Sequence, residues 1–142
     1  MKIESKINHD IDYGCQRNAN DIKYIVIQSV CEVPTHYGVI GDKAVQYIPD
    51  VYISESINGA KLSHLGIYHG ICTRYNSITI SITSDSEKSI CLIRTLMQRY
   101  KIPPENVLRK MDVTGEANPE FWFDKHKWNE IHKKLSYVKS DN

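Results

Sequence analysis

"DIKYIVIQSV", residues 21–30, decides the architecture. Its centre is β-branched and aromatic, with Tyr24 and Val26 on one alternating face and Ile25 and Ile27 on the other. A strand apolar on both faces belongs in the middle of a sheet covered from two sides. It then ends in an amide, Gln28. Strands of open α/β sheets present their chemistry at their carboxyl ends, so the residue at that place matters.

Working outward, "HYGVIGDKAVQYIP" (36–49) predicts a hairpin turning at Gly41-Asp42-Lys43, with Pro49 ending its second strand. Residues 50–75 are a long polar stretch rich in Ser, Gly, Tyr and His, a length of loop that often serves function. "NSITISIT" (76–83) alternates Ile78, Ile80 and Ile82 with hydroxyls and predicts another strand. Ser84 and Glu87 have capping-box spacing, and Ile90, Ile93, Met97 and Tyr100 recur at helical spacing behind them. Pro103 and Pro104 stop that helix. Asn118 before Pro119 has the form of a helix cap with proline at the first position, and Phe121, Trp128, Ile131 and Leu135 give the last helix one apolar face. Of the aromatic cluster Phe121, Trp122 and Phe123, Phe121 is expected in the core rather than lining a groove. The expected fold is α/β: a central mixed sheet flanked by helices, in one domain over 1–142, with an N-terminal extension (1–20) and the long loop 50–75.

The 142 residues suit one domain, and 41% hydrophobic with 25% charged residues excludes a disordered composition. Eighteen basic against seventeen acidic residues give a net charge of +1, so no broad electrostatic footprint for nucleic acid is present. The start "MKIESKINHD" has no apolar core of a signal peptide, and no run reaches membrane-spanning length. The expectation is a cytoplasmic protein without a membrane partner. Cys15, Cys31, Cys72 and Cys91 contain no CxxC pair, which argues for reduced thiols and against a zinc ribbon.

Four stretches together carry a likeness: "YGCQRNANDIKYIVIQ" (13–28), "HYGVIGDKAVQYIPD" (36–50), "YHGICTRYNSITIS" (68–81) and "IPPENVLRKMDVTGEANPEFW" (102–122). The chain resembles the zinc-dependent type-2 N-acetylmuramoyl-L-alanine amidases, related to peptidoglycan-recognition proteins and phage endolysins, and within them the clostridial and phage branch. "RKMDVTGEANP" (109–119) is the most specific segment, beside the family's Arg-His-Tyr-Asp-Val-Thr-Gly-Lys-x-Cys-Pro.

The resemblance implies a site of two histidines and a Cys or Asp around zinc, with a water in the open position. Matched residue by residue, those three places hold Gln28, Lys110 and Asn118. A protonated lysine has no lone pair and repels a dication, while Gln and Asn offer only carbonyl oxygens. The glutamate that activates the water in the family is matched by Ser81, whose hydroxyl is no general base near neutrality. The lysine after glycine becomes Glu116, and the Trp-His pair before the long loop becomes Glu55-Ser56. No zinc and no other cofactor is expected, and the degenerate set Gln28, Ser81, Lys110 and Asn118 is expected to be catalytically silent.

Other chemistry is thin. His126 and His132 are six apart on one helix and face different ways, and His64, His69 and Cys72 share a loop that more often carries ordinary surface residues than a metal. Ser81 and Lys110 would form a nucleophile–base dyad only with a desolvated lysine, and Glu116 or Glu55 is placed to pair with it instead. Asp112, with Thr114 and Gly115, is expected to shape a turn. The residues left to line a binding groove are His36, His69, Ser81, Lys110, Asp112 and Glu116.

The reading is therefore a degenerate amidase that binds rather than cuts, blocking or regulating an intracellular protein and encoded by a phage or other mobile element. The alternatives are a non-catalytic binder of peptidoglycan fragments (a muropeptide ligand) and an active amidase with atypical ligands. Were it derived from a lysin, it would leave the cell through a holin. Finally, relatives in this branch carry a helix between the first strand and the hairpin, where here only "CEVPT" intervenes. Five residues are too few for a parallel crossover, which needs about a dozen. The missing helix should bare an apolar surface near residues 22–37 for a protein partner or a second copy.

Overall fold

The computed structural model describes residues 1–57 and 66–136. Six strands, β1 (Ile3–Ser5), β2 (Tyr24–Gln28), β3 (Tyr37–Ile40), β4 (Lys43–Gln46), β5 (Ser77–Ser81) and β6 (Val107–Arg109), form one sheet in the order β1-β4-β3-β5-β2-β6. Every neighbouring pair is parallel except the β3–β4 hairpin. Among the described residues three α-helices, α1 (Glu87–Tyr100), α2 (Lys110–Thr114) and α3 (Lys125–Ser136), accompany the sheet.

As its two apolar faces require, β2 lies inside the sheet between β5 and β6. Ile25 and Ile27 are buried with Leu92, Ile93 and Leu96 of α1, Trp128 and Ile131 of α3, and Trp122. On the other face, Val26 packs with Leu108, Val113, Ile57 and Cys72, with Tyr24 and Tyr68 against them. α2 and segments of the long loop thus cover the face for which no crossover helix is left. The stretch 22–37 is accordingly more covered than expected: Ile22, Ile25, Val26, Ile27 and Tyr37 are buried, and the exposed apolar residues are Val30 (62%) and Val33 (43%).

The link from β2 to β3 corrects a second expectation. Both strands run parallel to β5, with no helix between them. The short connection suffices because β3 is staggered. Gln28 pairs with Ser81 at the end of β5, and β3 begins there too, with Tyr37 opposite Ile80 and Gly38 opposite Ser81. The chain steps over the end of β5 and never runs back along it. Gly38 is needed at this crossing, since a Cβ there would lie 2.9 Å from both the Ser81 hydroxyl and the Tyr47 ring.

Two helix starts also differ from the sequence reading. The cap of α1 is Ser86, whose Oγ accepts from the Ser89 N–H, so the Ser84/Glu87 box is not the one used. Asn118–Pro119 is a cis peptide ahead of a single 3-10 turn at Glu120–Trp122 and does not cap α3. α3 starts later, where the Asp124 carboxylate accepts from the His126 N–H at 2.7 Å. Of the aromatic cluster, Trp122 is the fully buried anchor, Phe121 packs partly buried against the core, and Phe123 is 53% exposed.

Candidate functional site at the carboxyl ends of the strands

β2, β5 and β6 end side by side, and the four positions singled out in the sequence gather there. Gln28 and Ser81 are register partners, Ile27 pairs with Arg109, and Lys110 follows directly at the start of α2. Asn118 is drawn in by two bonds: its Oδ1 accepts from the Ser29 N–H at 2.7 Å, and its carbonyl accepts from the Met111 N–H at 2.9 Å.

Each side chain is engaged by the chain itself. The Lys110 ammonium pairs with Glu116 at 3.0 Å, the lysine side chain 13% exposed and the glutamate 45%. Ser81 is within 3.0 Å of the Thr35 hydroxyl, which also meets the Tyr37 carbonyl at 2.7 Å. Gln28 has no exposure, and its Nε2 donates to the Cys31 sulfur at 3.1 Å. Its Oε1 is buried without a hydrogen-bond partner among the described residues. A buried acceptor left unpaired costs roughly 1–3 kcal/mol, so Gln28 sits where packing alone would not have placed an amide.

These residues do not fit zinc. An ammonium already paired with a carboxylate, an amide oxygen already accepting a backbone N–H, and one carbonyl oxygen make no set of three imidazole, thiolate or carboxylate donors. Among the described residues no group of three or more His, Cys, Asp or Glu is placed to hold a metal ion. Nor do Ser81 and Lys110 form a dyad: among the described residues no hydrogen bond joins them, and each has another partner.

The other candidates fall into place around this edge. Asp112 shapes the turn into α2, accepting from the Arg109 backbone N–H at 2.9 Å and from its guanidinium at 3.0 and 3.2 Å. Glu55 pairs with Arg74 at 2.5 Å and Ser56 is buried beside Ser54. His69 is exposed in the turn after Gly66, and His64 lies outside the described residues. Gly66 packs flat on the backbone at Asp112–Val113, leaving no room for a Cβ. His126 and His132 diverge as expected, one 3.7 Å from Glu130 and the other 2.9 Å from the Val107 carbonyl.

His36 lies below the site rather than in it. It is fully buried; Nδ1 accepts from the Thr79 N–H at 3.1 Å, which leaves the ring proton on Nε2 to meet the Tyr52 carbonyl at 2.7 Å. Burial, and secondly the adjacent Arg17, lower its pKa from 6.5 to about 4.

Three contributors were not legible in the sequence. Arg17 reaches the Asp50, Arg74, Tyr75 and Ser77 carbonyls and fastens the N-terminal segment to both ends of the long loop. Arg109 joins Asp112 to the Trp122 carbonyl and lies over the Trp128 ring. Cys31 caps the buried amide of Gln28. All three depend on partners distant in sequence or on a loop conformation, which no local pattern encodes. A hollow of about 800 Å³ between α1 and α3, floored by Ile90, Met97, Ile102 and Leu135, contains none of the four matched positions.

No protein-family model and none of the curated proteins compared matches the sequence. In three dimensions the likeness is clear. The fold superposes on PlyL with a TM-score of 0.75 at 20% identity, covering 97% of this chain and 100% of that one. It matches the PlyG catalytic domain with a TM-score of 0.72 at 20% identity, covering 100% and 99%. The N-acetylmuramoyl-L-alanine amidase LysC from Clostridium intestinale gives 0.60 at 15% identity, covering 97% and 99%. The chain therefore has, over its whole length, the α/β fold of the N-acetylmuramoyl-L-alanine amidase domains of phage endolysins.

Proposed function

We propose that this chain is a non-hydrolytic protein on an amidase scaffold, related to peptidoglycan chemistry by fold and acting by binding a protein inside the cell. One observation carries the reading. At the strand ends, where a hydrolase of this fold needs metal donors and a base, stand Gln28, Lys110, Asn118 and Ser81, bonded to Cys31, Glu116, Ser29 and Thr35. Exposed Val30 and Val33, on the loop that crosses β5, give a partner or a second copy an apolar foothold next to that edge. A second reading, retention of a muropeptide without cleavage, is favoured by the match to the Staphylococcus aureus hydrolase AmiA solved in complex with its ligand (TM-score 0.68, 15% identity, 96% of this chain and 82% of that one).

The test combines metal analysis, release of stem peptides from peptidoglycan, and calorimetric titration with a soluble muropeptide. The expected result is no stoichiometric zinc and no hydrolysis. Near one zinc per chain with chelator-sensitive release of peptide would establish an active amidase and overturn the proposal. Muropeptide binding without turnover would select the second reading. Light scattering, and capture of a defined partner lost in a Val30→Glu, Val33→Glu variant, would support the first.

A further inference from the structure

Cys31 follows β2 by three residues, exposed on the loop that steps across β5. Its thiol donates to the Val33 carbonyl at 3.1 Å, and its sulfur accepts the Gln28 amide N–H at 3.1 Å. The same amide presents a second atom, Oε1, in a side chain with no exposure and with no donor among the described residues to meet it. The arrangement is one hydroxyl short of complete: a group bonded to the Cys31 sulfur and carrying an O–H would satisfy the orphaned carbonyl.

We propose that Cys31 is an oxidation site for hydroperoxides, with Gln28 holding the resulting sulfenic acid. In the step, the sulfur attacks one peroxide oxygen and the O–O bond breaks. The thiol becomes Cys–SOH, the peroxide is reduced to water or an alcohol, and the thiol proton leaves with the departing oxygen. Sulfenic acids form on accessible cysteines and persist where the protein shields and hydrogen-bonds them. Here the Gln28 N–H contacts the sulfur and Oε1 accepts the new hydroxyl, in exchange for the weaker thiol bond to the carbonyl of exposed Val33. Cys15 and Cys91, also exposed, are comparators within the same chain, and Cys72 is buried with its thiol pushed up to about 12 by desolvation. The inference concerns the free protein, because the partner surface proposed above, Val30 and Val33, flanks Cys31 on the same loop.

The experiment treats the reduced, full-length protein with limiting hydrogen peroxide and removes the excess with catalase. Dimedone is then added at increasing delays, and its adduct is quantified at each cysteine by peptide mass spectrometry. Label at Cys31 should exceed that at Cys15 and Cys91 several-fold and should persist at long delays. Gln28→Leu should shorten that persistence to the level of the comparators, while Gln28→Glu, which keeps an acceptor, should retain it. Equal labelling and equal decay at the three exposed cysteines of the parent would overturn the proposal without any variant, as would undiminished persistence in a folded Gln28→Leu protein.

Discussion

His36 shows how far one side chain can be moved from its ordinary chemistry. Folded, it takes up a proton only near pH 4, whereas the unfolded chain does so near its usual 6.5. The unfolded state therefore binds more protons between those values, and stability falls as pH drops through that window and no further on account of this group. About two and a half units correspond to roughly 3 kcal/mol for a fully buried ring. Urea unfolding at pH 7, 5.5 and 4 should show this loss in the parent and a flatter profile in His36→Gln, whatever that change costs at pH 7. Gln28 makes the opposite case, a polar group whose removal is cheap. Gln28→Met gives up the contact to Cys31 but also the orphaned oxygen, so stability should change by less than about 1 kcal/mol or rise. A loss beyond about 3 kcal/mol in the unfolding free energy from urea titration would mean that Oε1 has a partner in solution.

At the scale of elements, the start of α1 offers a paired test. Ser86→Ala removes the cap to the Ser89 N–H and should cost about 1 kcal/mol, while Ser84→Ala, the position that spacing favoured, should cost almost nothing. The N-terminal extension is attached more firmly than its exposure suggests. Arg17, only 8% exposed, donates to four backbone carbonyls on the segments 50–52 and 74–77. Arg17→Ala strands those acceptors and should destabilise the chain by about 3 kcal/mol, hydrogen bonds from a charged donor being worth about 1.5–3 kcal/mol. Limited proteolysis should then cut first before Ile22, where the parent resists. Equal cleavage of both proteins there would show that the extension is held by other contacts.

For the whole molecule the question is whether the scaffold still has the shape of a metal site once the residues are restored. Gln28 and Lys110 lie at the ends of β2 and β6, and the Asn118–Ser29 bond holds the third position against them. Gln28→His, Lys110→His and Asn118→Cys together should create zinc affinity, since the backbone that presents these residues follows the amidase fold. Binding stabilises the native state by about 2.7 kcal/mol at a hundredfold excess over Kd. Thermal melts with added zinc should shift upward for the triple variant and not for the parent. A folded triple variant whose melt ignores zinc would show that the three positions do not converge. Hydrolysis should require Ser81→Glu in addition, because the remaining hydroxyl cannot take the water's proton.

Much of this was open to reading in the sequence because the signals are local. A strand apolar on both faces is central in any sheet, and in "RKMDVTGEANP" the turn residues and the substituted positions lie within eleven residues. The resemblance singled out Gln28, Lys110, Asn118 and Ser81, and residue type then decided what chemistry each can offer. What tertiary structure decided is registry and contact. The stagger of β3 against β5 lets the chain pass without a crossover helix, although strand length and connection length alone argued against it. Val113 of α2 together with Ile57, Tyr68 and Cys72 covers the face of β2 that was expected to be bare. The partners of Arg17, the anchoring by Trp122 and the Gln28–Cys31 pair exist only once distant segments have met. A sequence specifies each residue's chemistry, but a hydrogen-bond partner is chosen by the packing that brings the two groups to the same place.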